Sequence, residues 1–282
     1  FLDDCELENA AVDFISTHHY PTDAFGKPGD DTISQLAASH RGVLREQVLN
    51  SQLQARGKPV YYTEWSTSSN PFDDLHDLPY AAAFVAKTVM EARGAVQGYS
   101  YWTFSDIFEE NYFSSKPFHG GFGLVNIYGI PKPSYRAYEL LHHLGDEIFN
   151  VEGHHSTVDT WVTKRDHVLK ILITNGALPR HPIKTEMVQI QLRGLSQVKD
   201  AYIERIDEDH SNPRKIWEQM RQPASLSISQ VHELEAASAL IKHPVSVVGK
   251  ENDFTVHLSM PEQGSACLTI ETGNQVDPFL VK

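Results

Sequence analysis

The residues best equipped for chemistry lie in Val60-Tyr61-Tyr62-Thr63-Glu64-Trp65-Ser66. A β-rich run delivers one carboxylate to its end, beside an indole, and a polar Ser/Thr/Asn loop follows. An ionised carboxylate is costly to desolvate, so a strand that ends on Glu needs a reason to do so. A sugar site is one such reason: the carboxylate works on the anomeric carbon and an aromatic face covers the ring. Trp65 is the adjacent candidate for that cover. A carboxylate nucleophile of this kind requires a second carboxyl group as acid/base, about 5 to 5.5 Å away. The competing explanation for Glu64 is a structural ion pair with a surface Lys or Arg.

The elements that must position Glu64 follow from the pattern around it. Tyr20, Glu64 and Trp102 are 44 and then 38 residues apart, each near the end of a strand-like run at 12–17, 60–63 and 96–104. A helix is expected over 33–54, closed by Arg56-Gly57-Lys58-Pro59. A second is expected over 79–93, stopped at Gly94, and a third from Lys132-Pro133-Ser134 through 144. Residues 1–9 read as the tail of a further helix. Strand–helix units of this length suit a parallel sheet or a (β/α)₈ barrel, where chemistry gathers at the C-terminal strand ends. After about residue 150 the pattern changes to alternating runs at 158–163, 168–174, 187–192, 201–206, 254–258 and 266–270. Helical inserts at 213–220 and 229–241 interrupt them. These runs predict an antiparallel β-sandwich, so the fold class is α/β plus all-β, with domains at 1–148 and 149–282.

The bulk numbers narrow the ligand. With 24 Lys+Arg against 37 Asp+Glu, the formal charge is −13. That argues against nucleic acid and anionic membranes but not against neutral sugars. No apolar run of about 18 residues predicts a membrane span. Cys5 and Cys267 form no disulfide framework or metal-ligand spacing, which predicts a reducing, cytoplasmic location. The chain opens with Phe1 in a helical pattern, so the true N-terminus is expected upstream.

Several stretches together resemble the C-terminal half of a glycoside hydrolase family 39 β-xylosidase. They are 12–20, Thr63-Glu64-Trp65-Ser66-Thr67-Ser68, Leu75-His76-Asp77, Tyr101-Trp102 through Glu110, Phe118-His119-Gly120-Gly121-Phe122-Gly123-Leu124 and Pro131-Lys132-Pro133. Ile206-Asp207-Glu208-Asp209-His210-Ser211-Asn212-Pro213 resembles the accessory domain of the same enzymes. The resemblance implies a partial (β/α)₈ TIM barrel, its strands six to eight, followed by the β-sandwich. It implies that Glu64 is the nucleophile of a retaining enzyme that releases xylose from xylo-oligosaccharides. The acid/base of the family lies in an Asn-Glu-Pro motif, and this chain contains no Asn-Glu dipeptide.

The resemblance also implies substrate-binding roles. Tyr20 would hold Glu64 oriented, and His18 would face the sugar or the nucleophile. Trp102 would floor the sugar, barrel-core packing being the alternative. Glu109 and Glu110 would accept hydrogen bonds from sugar hydroxyls, a solvated loop being the alternative. Residues 118–123 would form a flexible aromatic rim. No cofactor and no metal are expected: His18 and His19 are adjacent on a strand and point apart, and Asp207, Asp209 and His210 suit turn and cap chemistry. Related enzymes are often homo-oligomers, so a homo-oligomer is expected. Two other readings stay open: a truncated, non-catalytic sugar-binding or assembly module, and an α-L-iduronidase-like activity.

Overall fold

β1 (Ile15–His19), β2 (Val60–Trp65) and β3 (Gly98–Tyr101) form a parallel sheet in that order. The structure is a computed structural model and describes residues 1–23, 27, 29–107, 114–250 and 252–273. α1 (Leu2–Leu7) precedes β1, and α2 (Thr32–Ala37) and α3 (Val43–Gln54) join β1 to β2. A short 3₁₀ helix (Asp74–Asp77) and α4 (Pro79–Ala92) join β2 to β3, and α5 (Pro133–His142) follows. Strand alternation sorts the start of β2: Val60 and Tyr62 are buried, while Tyr61 and Thr63 are exposed on the other face; Trp65, also buried, lies past an irregularity in the register with β3 that breaks the alternation.

The second half is antiparallel. β4 (Glu147–Phe149), β5 (Val158–Arg165), β6 (Val168–Asn175), β12 (Gly264–Thr272), β8 (Val198–Ile206) and β9 (His243–Pro244) make a six-stranded sheet in that order. β10 (Val248–Lys250), β11 (Asp253–Met260) and β7 (Glu186–Arg193) make a three-stranded one. The two share a core in which Val162, Ile171, Ile173, Leu268 and Ile270 meet Ile190, Leu192, Val256 and Leu258. α6 (Pro213–Gln219) and α7 (Ile228–Ser238) sit in the connection after β8.

α4 joins the halves. Ala82, Val85 and Ala86 of α4, with Ala137 and Leu140 of α5, pack on Leu172, Ile206 and Cys267 of the six-stranded sheet. That sheet is thus covered on both faces, so β6 and β12, which the sequence suggests are alternating, are buried at most positions on both sides. Among the described residues, no helix is long and apolar enough to cross a membrane.

The structure departs from the expected elements at points with physical causes. The helix expected over 33–54 is two helices. In the break, Arg41 donates to the carbonyls of Ser156 (2.6 Å) and Thr157 (2.9 Å) and pairs with Asp159 of β5. The strand expected from residue 12 begins at Ile15, because the Val12 carbonyl accepts from Lys58 Nζ (2.7 Å) instead of a neighbouring strand. The strand expected through residue 104 ends at Tyr101. Beyond it, Thr103, Phe104 and Asp106 hydrogen-bond with Phe122, Leu124 and Val125. The short β4, β9, β10 and the 3₁₀ helix carry too few residues to show a period.

Candidate active site

Glu64 ends up between two side chains of the neighbouring strand end. Tyr20 donates its hydroxyl to Glu64 Oε1 in a short hydrogen bond, and His18 Nδ1 lies 3.4 Å from Oε2. His18 and Tyr20 are two positions apart, so alternation sends both to one face. The register between β1 and β2 shifts between Thr17 and His18, and that between β2 and β3 shifts between Tyr62 and Trp65. Irregularities of this kind re-aim side chains at strand ends. The Glu64 side chain keeps 21% of its surface open, enough for a ligand to reach it. Burial and the Glu64 carboxylate together push the Tyr20 phenol well above its ordinary pKa, so it remains a donor.

His19 goes the other way. Its ring stacks on Tyr62 at 3.9 Å, and Nε2 lies 2.8 Å from the Tyr99 hydroxyl. Burial pushes its imidazole down to about 3, so it is neutral. The two adjacent histidines therefore do not share a ligand site. Among the described residues, no three His, Cys, Asp or Glu side chains group to hold a metal ion.

The indole beside Glu64 does not cover a sugar. Trp65 is fully buried and stacks on Tyr99 with ring centroids 4.5 Å apart. Trp102 is the indole left at this end of the sheet. It follows β3 directly, is half-buried, and its backbone N–H donates to the Trp65 carbonyl (2.8 Å). The Trp102–Thr103 peptide is cis. Glu109 and Glu110 lie outside the described residues.

Sequence reasoning missed Asp23. Its Oδ2 accepts from the Tyr20 backbone N–H (3.0 Å), and burial, then the Glu64 charge, raise its carboxyl pKa. The signal was local: Tyr-Pro-Thr-Asp is a turn that closes on its own first residue, with Asp23 N–H donating to the Tyr20 carbonyl (3.3 Å).

The stretch expected to be a flexible rim is instead clamped. Phe118 is buried against Trp217 of α6, with ring centroids 5.5 Å apart. Gly120 N–H donates to Asp77 Oδ2 (2.7 Å), and the Gly120 carbonyl faces His76 Nδ1 (2.9 Å). Gly123 N–H donates to Asp106 Oδ1 (2.7 Å). A Cβ at Gly123 would lie 2.2 Å from the Asp106 backbone N, and one at Gly120 would lie 2.6 Å from the Asp73 carbonyl carbon. The glycines are there because backbone passes against backbone. Below them Lys132 is fully buried, with Nζ 2.6 Å from Asp77 Oδ1, 2.7 Å from Asp106 Oδ2 and 2.9 Å from the Gly121 carbonyl. Burial alone would lower the lysine pKa; the Asp106 and Asp77 carboxylates outweigh it and push it up to about 12.

Asp207, Asp209 and His210 form a turn. Asp207 Oδ1 accepts from the Asp209 N–H (3.0 Å) and lies 2.7 Å from His210 Nδ1, and Asn212 caps α6 through the Lys215 N–H. Lys215 pairs with Asp209 at 2.7 Å.

The model of glycosyl hydrolases family 39 matches residues 1–252. The chain belongs to glycosyl hydrolase family 39. It is 42% identical over 275 residues to a β-xylosidase of Caldicellulosiruptor saccharolyticus, covering 96% of this chain and 56% of that protein. It is 30% identical over 276 residues to a β-xylosidase of Geobacillus stearothermophilus, covering 92% and 51%. A solved family 39 β-xylosidase from Caulobacter crescentus superposes with a TM-score of 0.71 at 28% identity, over 96% of this chain and 54% of that one. The chain thus spans about half the length of the curated relatives it matches. In this family 39 chain, the Glu64, Tyr20 and His18 cluster stands at the carboxyl end of the parallel strands, which is where α/β folds place their chemistry.

Proposed function

We propose that this chain is the C-terminal part of a retaining β-xylosidase with Glu64 as its nucleophile. The Tyr20 hydroxyl donating to Glu64 Oε1, with His18 facing Oε2, is the observation that supports it. On this reading the parallel strands are strands six to eight of a (β/α)₈ barrel within residues 1–148, and 149–282 are the accessory β-sandwich. The outer edges of β1 and β3 have no strand partner among the described residues, and Phe14, Tyr61 and Phe104 are exposed, as in a barrel arc whose remainder lies elsewhere.

The chemistry then runs in two steps. The Glu64 carboxylate attacks the anomeric carbon and forms a glycosyl-enzyme, while an acid/base carboxyl protonates the departing oxygen; water, deprotonated by the same group, then releases the sugar with retained configuration. Tyr20 immobilises one carboxylate oxygen and leaves the other for attack. Trp102 floors the ring, and the acid/base comes from outside these 282 residues. A xyloside is the substrate because the matched relatives are β-xylosidases.

In the full-length protein, Glu64→Gly should abolish aryl-xyloside hydrolysis, and added azide should restore turnover as an inverted glycosyl azide. Undiminished hydrolysis by that variant sinks the assignment. The lack of an Asn-Glu dipeptide in these 282 residues favours a second reading for the chain alone, a sugar-binding module without turnover. Binding of xylo-oligosaccharide with no hydrolysis by the chain alone would establish it.

A further inference from the structure

The buried charges beneath the site form a chain that begins in the antiparallel half. Arg214, on the first turn of α6, places Nη1 3.4 Å from Asp77 Oδ2 and 3.1 Å from Asp74 Oδ1. Asp77 meets Lys132 through its other oxygen, and Lys132 meets Asp106. Asp77, Asp106 and Lys132 are all closed to solvent, so Lys132 answers one of the two buried carboxylates; Arg214, which Asp74 and Glu218 (3.0 Å) also share from partly exposed positions, faces the other. Each carboxylate also holds one glycine amide: Gly120 on Asp77 and Gly123 on Asp106. Those two amides frame Phe122, whose carbonyl accepts the Thr103 N–H at 3.1 Å, one residue beyond Trp102. α6 and α7 dock on the same segment: Trp217 and Leu234 pack with Phe118 and Ile130, and Ser238 Oγ donates to the Pro131 carbonyl at 2.6 Å.

We propose that Arg214 is a positioning residue: through Asp77, Lys132 and Asp106, the α6–α7 insert of the antiparallel half sets the 120–123 strap and thereby the placement of Trp102. The role for Trp102 rests on the sugar site proposed above; the mechanical coupling does not. Removing Arg214 leaves the cluster one cation short, and a buried uncompensated carboxylate sheds its partners or takes up a proton. Either response loosens the Gly120 amide and, through Lys132, the Gly123 amide.

The test is Arg214→Gln in the full-length protein, read by amide hydrogen exchange and by steady-state kinetics. Exchange at Gly120 and Gly123 should quicken by about tenfold or more while amides of β6 stay unchanged, since local opening is reported residue by residue. KM for an aryl xyloside should rise about 3- to 10-fold with kcat altered less than about twofold, the signature of lost substrate positioning. Arg214→Lys, which keeps the cation, should recover most of both effects. Unchanged exchange at the two glycines overturns the proposal, as does equal quickening throughout the molecule. Faster exchange at the glycines with an unchanged KM also overturns it, because the strap would then move without consequence. Hydrolysis surviving Glu64→Gly would overturn the nucleophile assignment instead, and leaves the exchange result standing.

Discussion

Replacing Lys132 by Met removes a cation from a site closed to bulk solvent. The side chain and both carboxylate partners are fully buried, at 2.6 and 2.7 Å. Met matches the lysine stem in length, so packing is largely kept and the change isolates the charge. Breaking a buried ion pair by deleting one partner costs about 3–5 kcal/mol, which lowers the melting temperature of a domain of this size by about 6–20 °C. The pH dependence discriminates further. The lysine pKa is raised from 10.5 to about 12, so its contribution is complete below about pH 10.5 and is lost as pH climbs towards 12. At neutral pH the variant therefore shows the full deficit, with Asp106 left without its cation and Asp77 keeping only Arg214. Burial already raises the Asp106 carboxyl above its ordinary value, so acidification protonates it and the gap between the variant and the parent should narrow as pH falls from neutral into the acid range. The double variant Asp106→Asn/Lys132→Met removes one anion with the cation and should be more stable than Lys132→Met alone. Thermal denaturation by circular dichroism across that range measures all three. A deficit under about 1 kcal/mol at pH 7, the size of a surface pair, or a gap that does not change with pH, would refute the reasoning.

The site and the strap give two more outcomes. Tyr20→Phe keeps the buried ring but deletes the donor to Glu64, and a hydrogen bond to a charged group is worth about 1.5–3 kcal/mol; xyloside kcat/KM should fall roughly 10- to 100-fold, and a fall under about threefold would show that the bond does not act in the transition state. Gly123→Ala puts a methyl 2.2 Å from the Asp106 backbone N and 2.6 Å from the Val125 carbonyl oxygen, neither of which can rotate away. It should cost about 1–3 kcal/mol or more in a denaturant midpoint, whereas Gly176→Ala, which meets the Ala83 Cβ at 3.4 Å, should be close to neutral; equal effects would refute the close-approach argument.

What could be read from the sequence was local or periodic. The spacing of Tyr20, Glu64 and Trp102 reveals parallel strands because each unit repeats the same order of strand, loop and helix. Glu64 was legible because a carboxylate at the end of an apolar strand is expensive without partners, and the partners, His18 and Tyr20, lie at matching places in the preceding strand. Trp65 misled because adjacency in sequence is not adjacency in space on a strand: with Tyr62 it is buried, and Tyr99 already covers its face. The break at Ala38 to Gly42 was invisible because its cause, Arg41 reaching Thr157 and Asp159, is more than a hundred residues away in the chain.

The same limit hid the charge cluster, yet its parts were conspicuous. Leu75-His76-Asp77, the Gly-rich 118–123 and Pro131-Lys132-Pro133 each stand out in the sequence, but none explains itself. Lys132 reads in the sequence only as the start of a helix until Asp77 and Asp106 are seen closing over it. The glycines read as a flexible rim until Asp73 and Asp106 backbone atoms are found against them. Each motif supplies what another lacks: the prolines lead the lysine in, the lysine neutralises the acids, and the acids bind the amides that the glycines bring close. Lys132 answers one of the two buried carboxylates, and Arg214, 82 residues further on and shared with Asp74 and Glu218, faces the other. A buried cluster of this kind is not assembled by either half alone. The antiparallel half is therefore part of the electrostatics beneath the strand ends, and not only a layer packed behind α4.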